Sequence, residues 1–288
     1  MDRAAFLTER RKGIGSSDVA PILGLSPWKS ALGVYLDKIG ESKGDDISPA
    51  MEWGIRKEPM IAAAIIDKYG WELAKPATMK HRDFGFLLAS PDRMTDKGEV
   101  IEIKTARTDE DWGEPETADV PEHYWLQVQH QLEVADADTC WIFVLIGSSD
   151  FRRYRVQRDP GYLPAVIDPL AEFWESVQNR TPMEPDWSSP LALRSVEALH
   201  KHRTGDRVAL SAEAARLASE YERLGEEAKA IEEQRGTVKA RLIHAMGGAE
   251  FGMLPDGRSI VRRSVEREAY TVKATNYYSF RIQKEKQR

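Results

Sequence analysis

Cysteine is nearly absent from this 288-residue chain, which holds one such residue, Cys140, in the apolar stretch TCWIFVLIG. One thiol makes no internal disulfide, iron–sulfur cluster or cysteine-based zinc site, and we expect it in a buried strand. No apolar run approaches the roughly 20 residues of a membrane span. The opening residues, MDRAAFLTERRKG, lack the long apolar core of a signal peptide. We therefore expect a cytoplasmic protein.

An excess of basic residues is also missing, since 41 lysines and arginines stand against 47 aspartates and glutamates, a net charge of −6. On its own, this balance argues weakly against a nucleic-acid binder. Net charge is a poor guide, however, when carboxylates gather at a metal site and basic residues gather elsewhere. The 41% hydrophobic content allows a sizeable core, and the length suits one large domain with a smaller appendage.

Predicted helices and strands over residues 1–185 follow an order typical of an α/β or α+β domain. Helices come first, then strands, then an amphipathic helix in VPEHYWLQVQHQLEVAD. TCWIFVLIGSSDFRRYRVQRD predicts two strands joined by a turn, and YLPAVIDPLAEFWESVQNRTPMEP predicts a closing helix. A proline-marked linker over residues 181–190 ends this domain.

Residues 190–288 have a different character and predict a helical appendage. Apolar residues recur at three- and four-residue spacing between Leu217 and Ala245, which predicts a helical hairpin or coiled coil. The preceding stretch LALRSVEALHKHR is the candidate partner helix. MLPDGRSIVRRSVEREAYTV predicts a small β-hairpin with a Pro-Asp-Gly turn, and RIQKEKQR forms a basic tail.

Chemistry concentrates in GFLLASPDRMTDKGEVIEIKTA, residues 85–106, which predicts a hairpin with a turn at TDKG. Ile101 and Ile103 alternate with Glu102 and Lys104, so the two charged side chains share one face of the strand. Asp92 adds a second carboxylate to the same hairpin, and buried carboxylates are costly unless they are paired or bind a metal. Oxygen ligands are those that Mg²⁺ prefers. From the spacing alone, a metal-dependent nuclease and an ordinary solvated strand face remain equal alternatives.

Neighbouring motifs separate these alternatives. SPDR followed by EIK resembles the PD-(D/E)xK nuclease signature, and the chain resembles the lambda-exonuclease/YqaJ viral recombinase family within that superfamily. RKGIGSSDVAPILG, EWGIRKE and YWLQVQHQL resemble three further motifs of the family, in family order. The resemblance implies a restriction-endonuclease-like core for residues 1–185, with a mixed sheet flanked by helices.

The resemblance also implies residue roles at a metal site. Asp92 and Glu102 match the metal-binding acids, and the backbone carbonyl of Ile103 would complete the first site. Glu58, on the predicted helix AMEWGIRKEPMIAAAIIDKYG, matches an acid that supports this site or a second metal. The implied cofactor is Mg²⁺, with two ions expected and Mn²⁺ able to substitute.

Two more residues match the catalytic set of the family. Lys104 matches the catalytic lysine. Gln127 matches the glutamine beside the nucleophilic water, and Gln129 is the weaker candidate of the two glutamines. Hydrolysis would proceed by in-line attack of water on the phosphorus, with Lys104 stabilising the developing charge.

The N-terminal segment RRKGIGSSD predicts an anion site. Its glycines free backbone N–H groups just before a helix start, where anions bind readily. Ser16 and Ser17 add hydroxyl donors, and Arg10 or Arg11 could hold a phosphate with two hydrogen bonds. The resemblance implies that this region binds the 5′-phosphate of DNA, and the choice between the two arginines stays open. Four tryptophans could stack on bases: Trp28, Trp53, Trp112 and Trp125.

These observations lead to a functional prediction with two alternatives. The leading prediction is a 5′-to-3′ exonuclease that acts on linear double-stranded DNA and leaves 3′ tails for phage-type recombination by strand annealing. The resemblance implies a single-strand annealing protein as partner, a homotrimer, and a phage or prophage origin in a bacterial host. The alternatives are a PD-(D/E)xK endonuclease of restriction or junction-resolving type, and a catalytically silent DNA-end-binding assembly protein.

Overall fold

The structure is a computed structural model that describes residues 8–42, 48–201, 205–266, 280 and 282. The chain divides into two compact units, residues 1–203 and residues 204–288. Most of the predicted basic tail lies outside the described residues. No helix in the described ranges is both long enough and apolar enough to cross a membrane.

Helices and strands alternate through the first unit, as expected for a mixed α/β domain. The strands are β1 (Ile14–Gly15), β2 (Leu73–Ala74), β3 (Met79–Lys80), β4 (Leu87–Ala89), β5 (Arg93–Thr95), β6 (Val100–Ala106), β7 (Thr139–Ile146) and β8 (Asp150–Gln157). The helices are α1 (Val19–Ile22), α2 (Ala31–Lys38), α3 (Pro49–Tyr69), α4 (Glu122–Ala135), α5 (Tyr162–Asn179) and α6 (Ala192–Leu199).

The main sheet has the strand order β2-β5-β6-β7-β8. Strands β6 and β7 run parallel, and the other neighbours in this sheet are antiparallel. A parallel pair needs a crossover connection, and α4 supplies it between β6 and β7. The crossover packs α4 against the sheet, where Val128 and Leu132 are buried with Ile142 and Val144 of β7. This packing brings the polar side chains of α4 to the charged face of β6.

A smaller sheet with the order β1-β4-β3 carries the N-terminal motif. Ile14 pairs with Leu87 in parallel register, and both side chains are buried. A 3₁₀ turn, Ser16–Asp18, follows β1 directly and leads into α1. The predicted short helix is therefore present, but a strand and a turn precede it.

Helix α3 covers the opposite face of the main sheet. It begins at Pro49, where the side chain of Ser48 accepts a hydrogen bond from the Met51 N–H. It ends at Gly70, whose φ of +67° is the left-handed conformation that favours glycine. Ile61 and Ile65 are buried against the sheet in a cluster that includes Ile101 and Ile103 of β6.

Helix α6 lies beyond the predicted end of the nuclease domain at residue 185, within the stretch LALRSVEALHKHR that is the candidate partner of the long C-terminal helix. Val196 and Leu199 of α6 pack against the core of the first unit. The hydroxyl of Ser195 lies 2.7 Å from that of Ser30, which caps α2. The apolar face of α6 is thus buried against the first unit, which extends to residue 203.

In the second unit, one long helix, α7 (Ala212–Met246), precedes a two-stranded hairpin of β9 (Phe251–Met253) and β10 (Ser259–Val261). The side chain of Ser211 caps the start of α7 by accepting a hydrogen bond from the Ala214 N–H. The apolar residues at three- and four-residue spacing are exposed along this helix. The predicted hairpin is present, with its turn at Gly257, whose φ is +85°.

Candidate active site

Asp92 lies directly before β5, where pairing of β5 with β6 sets it against the backbone of Ile103. The N–H of Ile103 donates a hydrogen bond of 2.7 Å to Asp92 Oδ2. Desolvation and then the charge of Glu102 raise the pKa of Asp92 to about 8, although Lys104 and the Ile103 N–H act in the opposite direction. The strongly raised pKa shows that two carboxylates share one poorly solvated site.

Glu102 lies at the centre of the site, with 4% of its surface exposed. Its Oε1 accepts hydrogen bonds from Lys104 Nζ at 2.5 Å and from Gln127 Nε2 at 2.6 Å. Its Oε2 accepts a hydrogen bond from Gln131 Nε2 at 2.7 Å. Ile101 and Ile103 of the same strand enter the core on the other face, so the alternation along β6 separates charge from core as the sequence predicts.

Lys104 is held in place by three neighbours. Its Nζ donates to Glu102 Oε1 and to Gln127 Oε1, the latter at 2.9 Å. The same nitrogen lies 4.6 Å from the centre of the Tyr124 ring, within cation–π distance. Burial alone would lower the pKa of Lys104, but the charges of Glu102, Tyr124 and Asp92 together with the hydrogen bond to Glu102 outweigh it, and the pKa is raised. The side chain therefore remains a positively charged ammonium at neutral pH.

Glu58 of α3 lies near Asp92 and Glu102, but its carboxylate is hydrogen-bonded to basic side chains outside that pair. Its Oε1 accepts hydrogen bonds from Arg93 Nη1 at 2.6 Å and from Lys75 Nζ at 3.3 Å. The charge of Glu58 contributes to the raised pKa of Asp92, which places the two acids within electrostatic reach. Within the described ranges, no three acidic, histidine or cysteine side chains are grouped as a metal cage.

The chemistry of the donor set nevertheless fits a hard divalent cation. Asp92 and Glu102 supply carboxylate oxygens, and burial followed by the charge of Glu102 raises the pKa of Asp92, a cost that a bound cation would relieve. Such oxygen donors suit Mg²⁺ or Mn²⁺ better than softer metals. The residues for an implied metal are therefore Asp92, Glu102 and the backbone carbonyl of Ile103, with Glu58 as an outer acid.

The three glutamines of α4 have different environments. Gln127 bonds both Glu102 and Lys104. Gln129 is turned away from the site, where it donates to the carbonyl of Gln157 and accepts from the Asp159 N–H. Gln131, which sequence reasoning missed, donates to Glu102. Its spacing of four residues from Gln127 puts both on one face of the helix, and that spacing could have revealed it.

The structure distinguishes the two arginines of the N-terminal motif. Arg10 Nη2 donates hydrogen bonds to Ser17 Oγ at 3.1 Å and to Asp18 Oδ1 at 2.9 Å. Arg11 instead donates from Nε to the carbonyl of Asp37. Arg10 therefore lies with the serines, and Arg11 does not.

A cavity of about 90 Å³ connects this motif with the carboxylate site. It is lined by Arg10, Ser16, Ser17, Ser90, Gln127 and Gln131, among others. Two buried atoms of its wall, Ser16 Oγ and Gln131 Oε1, have no hydrogen-bond partner among the described residues. Ser90, whose hydroxyl lies 3.0 Å from that of Thr78, also lines the cavity. Unpartnered buried polar atoms in a small cavity suit a polar ligand or water.

A buried ion pair supports the cavity from behind. Lys38 Nζ donates to Asp18 Oδ2 at 2.6 Å and to the carbonyl of Arg10 at 2.7 Å. Asp18 Oδ2 also accepts from the Gly15 N–H. Burial would raise the pKa of Asp18, but the charges of Lys38 and Arg10 lower it well below its usual value. A fixed carboxylate thus orients Arg10 and the turn that follows β1.

Comparison with known proteins agrees with this geometry. The profile of the YqaJ-like viral recombinase domain matches residues 5–138. An uncharacterized Bacillus subtilis (strain 168) protein named YqaJ is 29% identical over 262 residues, which is 88% of this chain and 81% of that protein. The match from residue 5 to residue 138 contains every candidate residue described above, from Arg10 to Gln131.

Solved structures establish the fold. The alkaline exonuclease LHK-Exo from Laribacter hongkongensis superposes with a TM-score of 0.50 and 16% identity, covering 62% of this chain and 94% of that one. Its complex with dAMP gives a TM-score of 0.51 at the same identity and coverage. At this level of identity the likeness concerns the fold alone, and it confirms the predicted mixed sheet flanked by helices.

Proposed function

We propose that this chain, whose residues 5–138 match the YqaJ-like viral recombinase domain, is a metal-dependent exonuclease that digests linear double-stranded DNA from the 5′ end. One observation carries the proposal: the cluster of Asp92, Glu102 and Lys104 lies beside a cavity that Arg10 lines. The two acids and the lysine suit phosphodiester hydrolysis, and the cavity lined by Arg10 suits a terminal phosphate. The exonuclease activity in the name of LHK-Exo, whose fold this chain shares, agrees with it.

Arg10 and the serines would bind the terminal 5′-phosphate. The guanidinium of Arg10 already points at Ser17 Oγ, and Ser16 Oγ is buried without a partner among the described residues. Charge-assisted hydrogen bonds from arginine to phosphate are strong and directional. A terminal phosphate held in this cavity would fix the distance from the DNA end to the bond that is cut, which is what distinguishes an exonuclease from an endonuclease.

Lys104 would stabilise the negative charge that develops on the scissile phosphate. Its raised pKa keeps it protonated, so it suits charge stabilisation better than proton abstraction. Gln127 bonds both Lys104 and Glu102, which fixes the lysine relative to the acid. Preorganised charge of this kind contributes more than flexible charge because nothing has to reorient during the reaction.

A divalent cation at Asp92, Glu102 and the Ile103 carbonyl would supply Lewis-acid stabilisation of the phosphoryl oxygens and a nucleophile at neutral pH. Mg²⁺ is the proposed ion, with Mn²⁺ able to substitute and Glu58 supporting a second ion. The surrounding chain supplies a half-buried, preorganised pair of acids, whose mutual repulsion favours cation binding.

The test is digestion of 5′-phosphorylated linear duplex in Mg²⁺, with separate 5′ and 3′ labels to read the direction. We expect loss of nucleotides from the 5′ end and no cutting of closed circular plasmid. Lys104→Ala should lose at least roughly 100-fold in rate. Lys97→Ala, an exposed lysine in the turn of the same hairpin, is the matched control and should behave as wild type.

Three outcomes would contradict the proposal. Wild type that leaves linear duplex intact would exclude an exonuclease. Cutting of closed circles would favour the endonuclease alternative. Equal rates for Lys104→Ala and wild type would remove Lys104 from the mechanism.

The biological setting proposed is phage-type recombination in the bacterial cytoplasm, with 3′ tails passed to a single-strand annealing protein. A homotrimer is the assembly that the family resemblance implies, and enclosure of DNA by a ring would favour processive digestion. Light scattering on the full chain tests the assembly, and a monomer at the concentrations used for activity would contradict it.

A further inference from the structure

Trp28 is an exposed aromatic side chain beside the active site, with 63% of its surface exposed. Its ring meets that of His123 edge-on, with centres 4.7 Å apart and planes at 89°. The centres of the Trp28 and Tyr124 rings lie 6.2 Å apart, and their planes make an angle of 33°. Trp28 is therefore the outermost member of an aromatic group that continues inward through His123 and Tyr124.

The inner end of this group is the catalytic lysine. The Tyr124 ring lies 4.6 Å from Lys104 Nζ, so a single ring separates Trp28 from the proposed charge-stabilising ammonium. His123 and Tyr124 open the same helix, α4, that carries Gln127. A group bound against Trp28 would therefore lie next to the phosphodiester that Lys104 contacts.

The loop that carries Trp28 is held in a defined conformation. The hydroxyl of Ser26 accepts hydrogen bonds from the N–H groups of Trp28 and Lys29, each at 3.3 Å. Pro27, which lies between Ser26 and Trp28, has its φ fixed by its ring. The indole is thus presented to solvent by an ordered turn, which lowers the entropy lost when a flat ligand stacks on it.

Two contrasts mark Trp28 as more than ordinary packing. Trp112, which also contacts Tyr124, is 9% exposed and belongs to the core. Beneath Trp28, in contrast, His123 Nε2 is buried and has no hydrogen-bond partner among the described residues. An open aromatic face above an unpartnered polar atom suits a ligand that offers both a flat ring and hydrogen-bonding groups.

We propose that Trp28, backed by His123 and Tyr124, is a nucleobase-stacking subsite for a nucleotide that flanks the scissile phosphate. The inference rests on the proposed nuclease function and adds the contact that holds the base. Stacking on an aromatic side chain tolerates every base, because each base has a flat π-face. The subsite therefore fixes the position of the nucleotide without selecting a sequence.

Binding measured without turnover tests this subsite. Fluorescence anisotropy in the presence of a chelator would compare full-length wild type, Trp28→Ala and Trp28→Phe on labelled 5′-phosphorylated duplex. An abasic residue would replace the first, second or sixth nucleotide of the 5′-ended strand. Trp187→Ala is the matched control, because Trp187 is 67% exposed and its ring N–H bonds Glu184 instead.

We expect wild type to bind the duplex with an abasic first or second nucleotide roughly fivefold to a hundredfold more weakly than the intact duplex. Trp28→Ala should bind the intact duplex and the duplex with an abasic first or second nucleotide equally weakly. Trp28→Phe should keep most of the affinity difference between these duplexes. An abasic sixth nucleotide should have no effect on any variant, and Trp187→Ala should match wild type.

Three results would overturn the inference. The first is wild type that binds abasic and intact ends equally. The second is Trp28→Ala that distinguishes them as well as wild type does. The third is Trp187→Ala that loses the difference to the same extent as Trp28→Ala. Failure of the proposed nuclease function is recognised separately, because it appears as absent digestion in Mg²⁺ or as absent binding of any duplex. If digestion depends on Lys104 but Trp28→Ala still binds abasic ends more weakly than intact ends, the stacking subsite is rejected and the nuclease function stands.

Discussion

Gln131 Nε2 donates a hydrogen bond of 2.7 Å to Glu102 Oε2. The same side chain lines the cavity that contains Arg10 and Ser16, and its own Oε1 has no partner among the described residues. One glutamine thus borders both the carboxylate site and the proposed phosphate site. Its amide fixes the orientation of Glu102, while its oxygen remains available to whatever occupies the cavity.

Gln131→Leu removes the hydrogen bond that Glu102 Oε2 accepts from this side chain, while the other oxygen keeps Lys104 and Gln127. We expect kcat to fall roughly 10- to 100-fold, the range typical when a group that orients a metal ligand is lost. KM for duplex should change less, because Arg10 is untouched. Steady-state kinetics on 5′-phosphorylated duplex measures both.

Gln129→Leu is the matched control on the same helix. Gln129 bonds the backbone of Gln157 and Asp159 and does not contact the site. Its loss should lower stability by about 1–3 kcal/mol, because the buried Gln129 side chain makes two hydrogen bonds to the backbone that leucine cannot replace, yet leave kcat near wild type. An equal fall in kcat for both variants would mean that Gln131 acts through stability alone.

Local pattern was enough to predict the geometry of β6. Alternation along the strand puts Glu102 and Lys104 on one face because side chains of a strand point to opposite sides with period two. Asp92 is close in sequence, so one hairpin brings it to the same place. Helical spacing likewise predicted α3 and α4 within two residues of their ends.

Long-range contacts were beyond the reach of sequence patterns. Arg10 and Arg11 are neighbours of identical chemistry, and the choice between them depends on Asp18 and on Lys38, 20 residues further along. The face of α6 is visibly apolar, but its pattern does not say which surface it covers. Only the folded structure shows that α6 packs against the start of α2.

Gly13→Ala should disrupt the small sheet that carries the phosphate motif. A Cβ at this position would overlap the carbonyl oxygen of Phe86 and lie 2.8 Å from Leu88 Cγ. The backbone oxygen cannot move aside without breaking its hydrogen bond from the Ile14 N–H. We expect a loss of about 1–3 kcal/mol in the free energy of unfolding, together with weaker preference for 5′-phosphorylated over 5′-hydroxyl ends.

The control for that substitution is Gly225→Ala, in the exposed middle of α7, where a Cβ meets nothing within 4 Å. Alanine there should stabilise the helix by roughly 0.5–1 kcal/mol. Urea unfolding measures both variants, and competition between phosphorylated and unphosphorylated duplex measures the preference. If Gly13→Ala unfolds at the same urea concentration as wild type, the close approach of β1 to β4 is not required.

Acid should destabilise the protein through His130, which is buried with Nδ1 3.2 Å from the Tyr162 hydroxyl. Desolvation lowers the pKa of His130 from 6.5 to about 4. Between these two values the unfolded chain binds a proton that the folded chain does not. The contribution of His130 to stability therefore falls as the pH drops from 6.5 towards 4, by up to about 1.4 kcal/mol per pH unit. The raised pKa of Asp92 acts in the opposite direction over this interval, so the effect is read as a difference between variants.

Urea midpoints between pH 7 and pH 5 test this dependence, because most carboxylates stay ionised over that interval. His130→Gln should be less stable at pH 7 but should show a shallower decline with acid. His200→Gln, which changes an exposed side chain, should decline as wild type does. Parallel curves for wild type and His130→Gln would exclude His130 as the source.

Lys38→Met should damage both stability and phosphate recognition, because it leaves the buried carboxylate of Asp18 with Arg10 as its remaining charged partner. Breaking a buried ion pair costs about 3–5 kcal/mol, and the retained Arg10 favours the lower end of that range. The lysine also bonds the Arg10 carbonyl, so its loss should reduce the preference for 5′-phosphorylated ends.

The pH dependence identifies the cause. The pKa of Asp18 is lowered in the folded chain, so its stabilising contribution is complete above the ordinary value of 3.8 and is lost as the pH falls through the folded value. The gap in unfolding free energy between wild type and Lys38→Met should therefore be widest near pH 7 and should narrow below pH 3.8. Asp18→Asn combined with Lys38→Met removes the unpaired charge and should recover part of the stability, but not the phosphate preference. A gap that stays constant with pH, or a double variant no more stable than Lys38→Met, would show that the methionine is poorly packed rather than that a charge is unpaired.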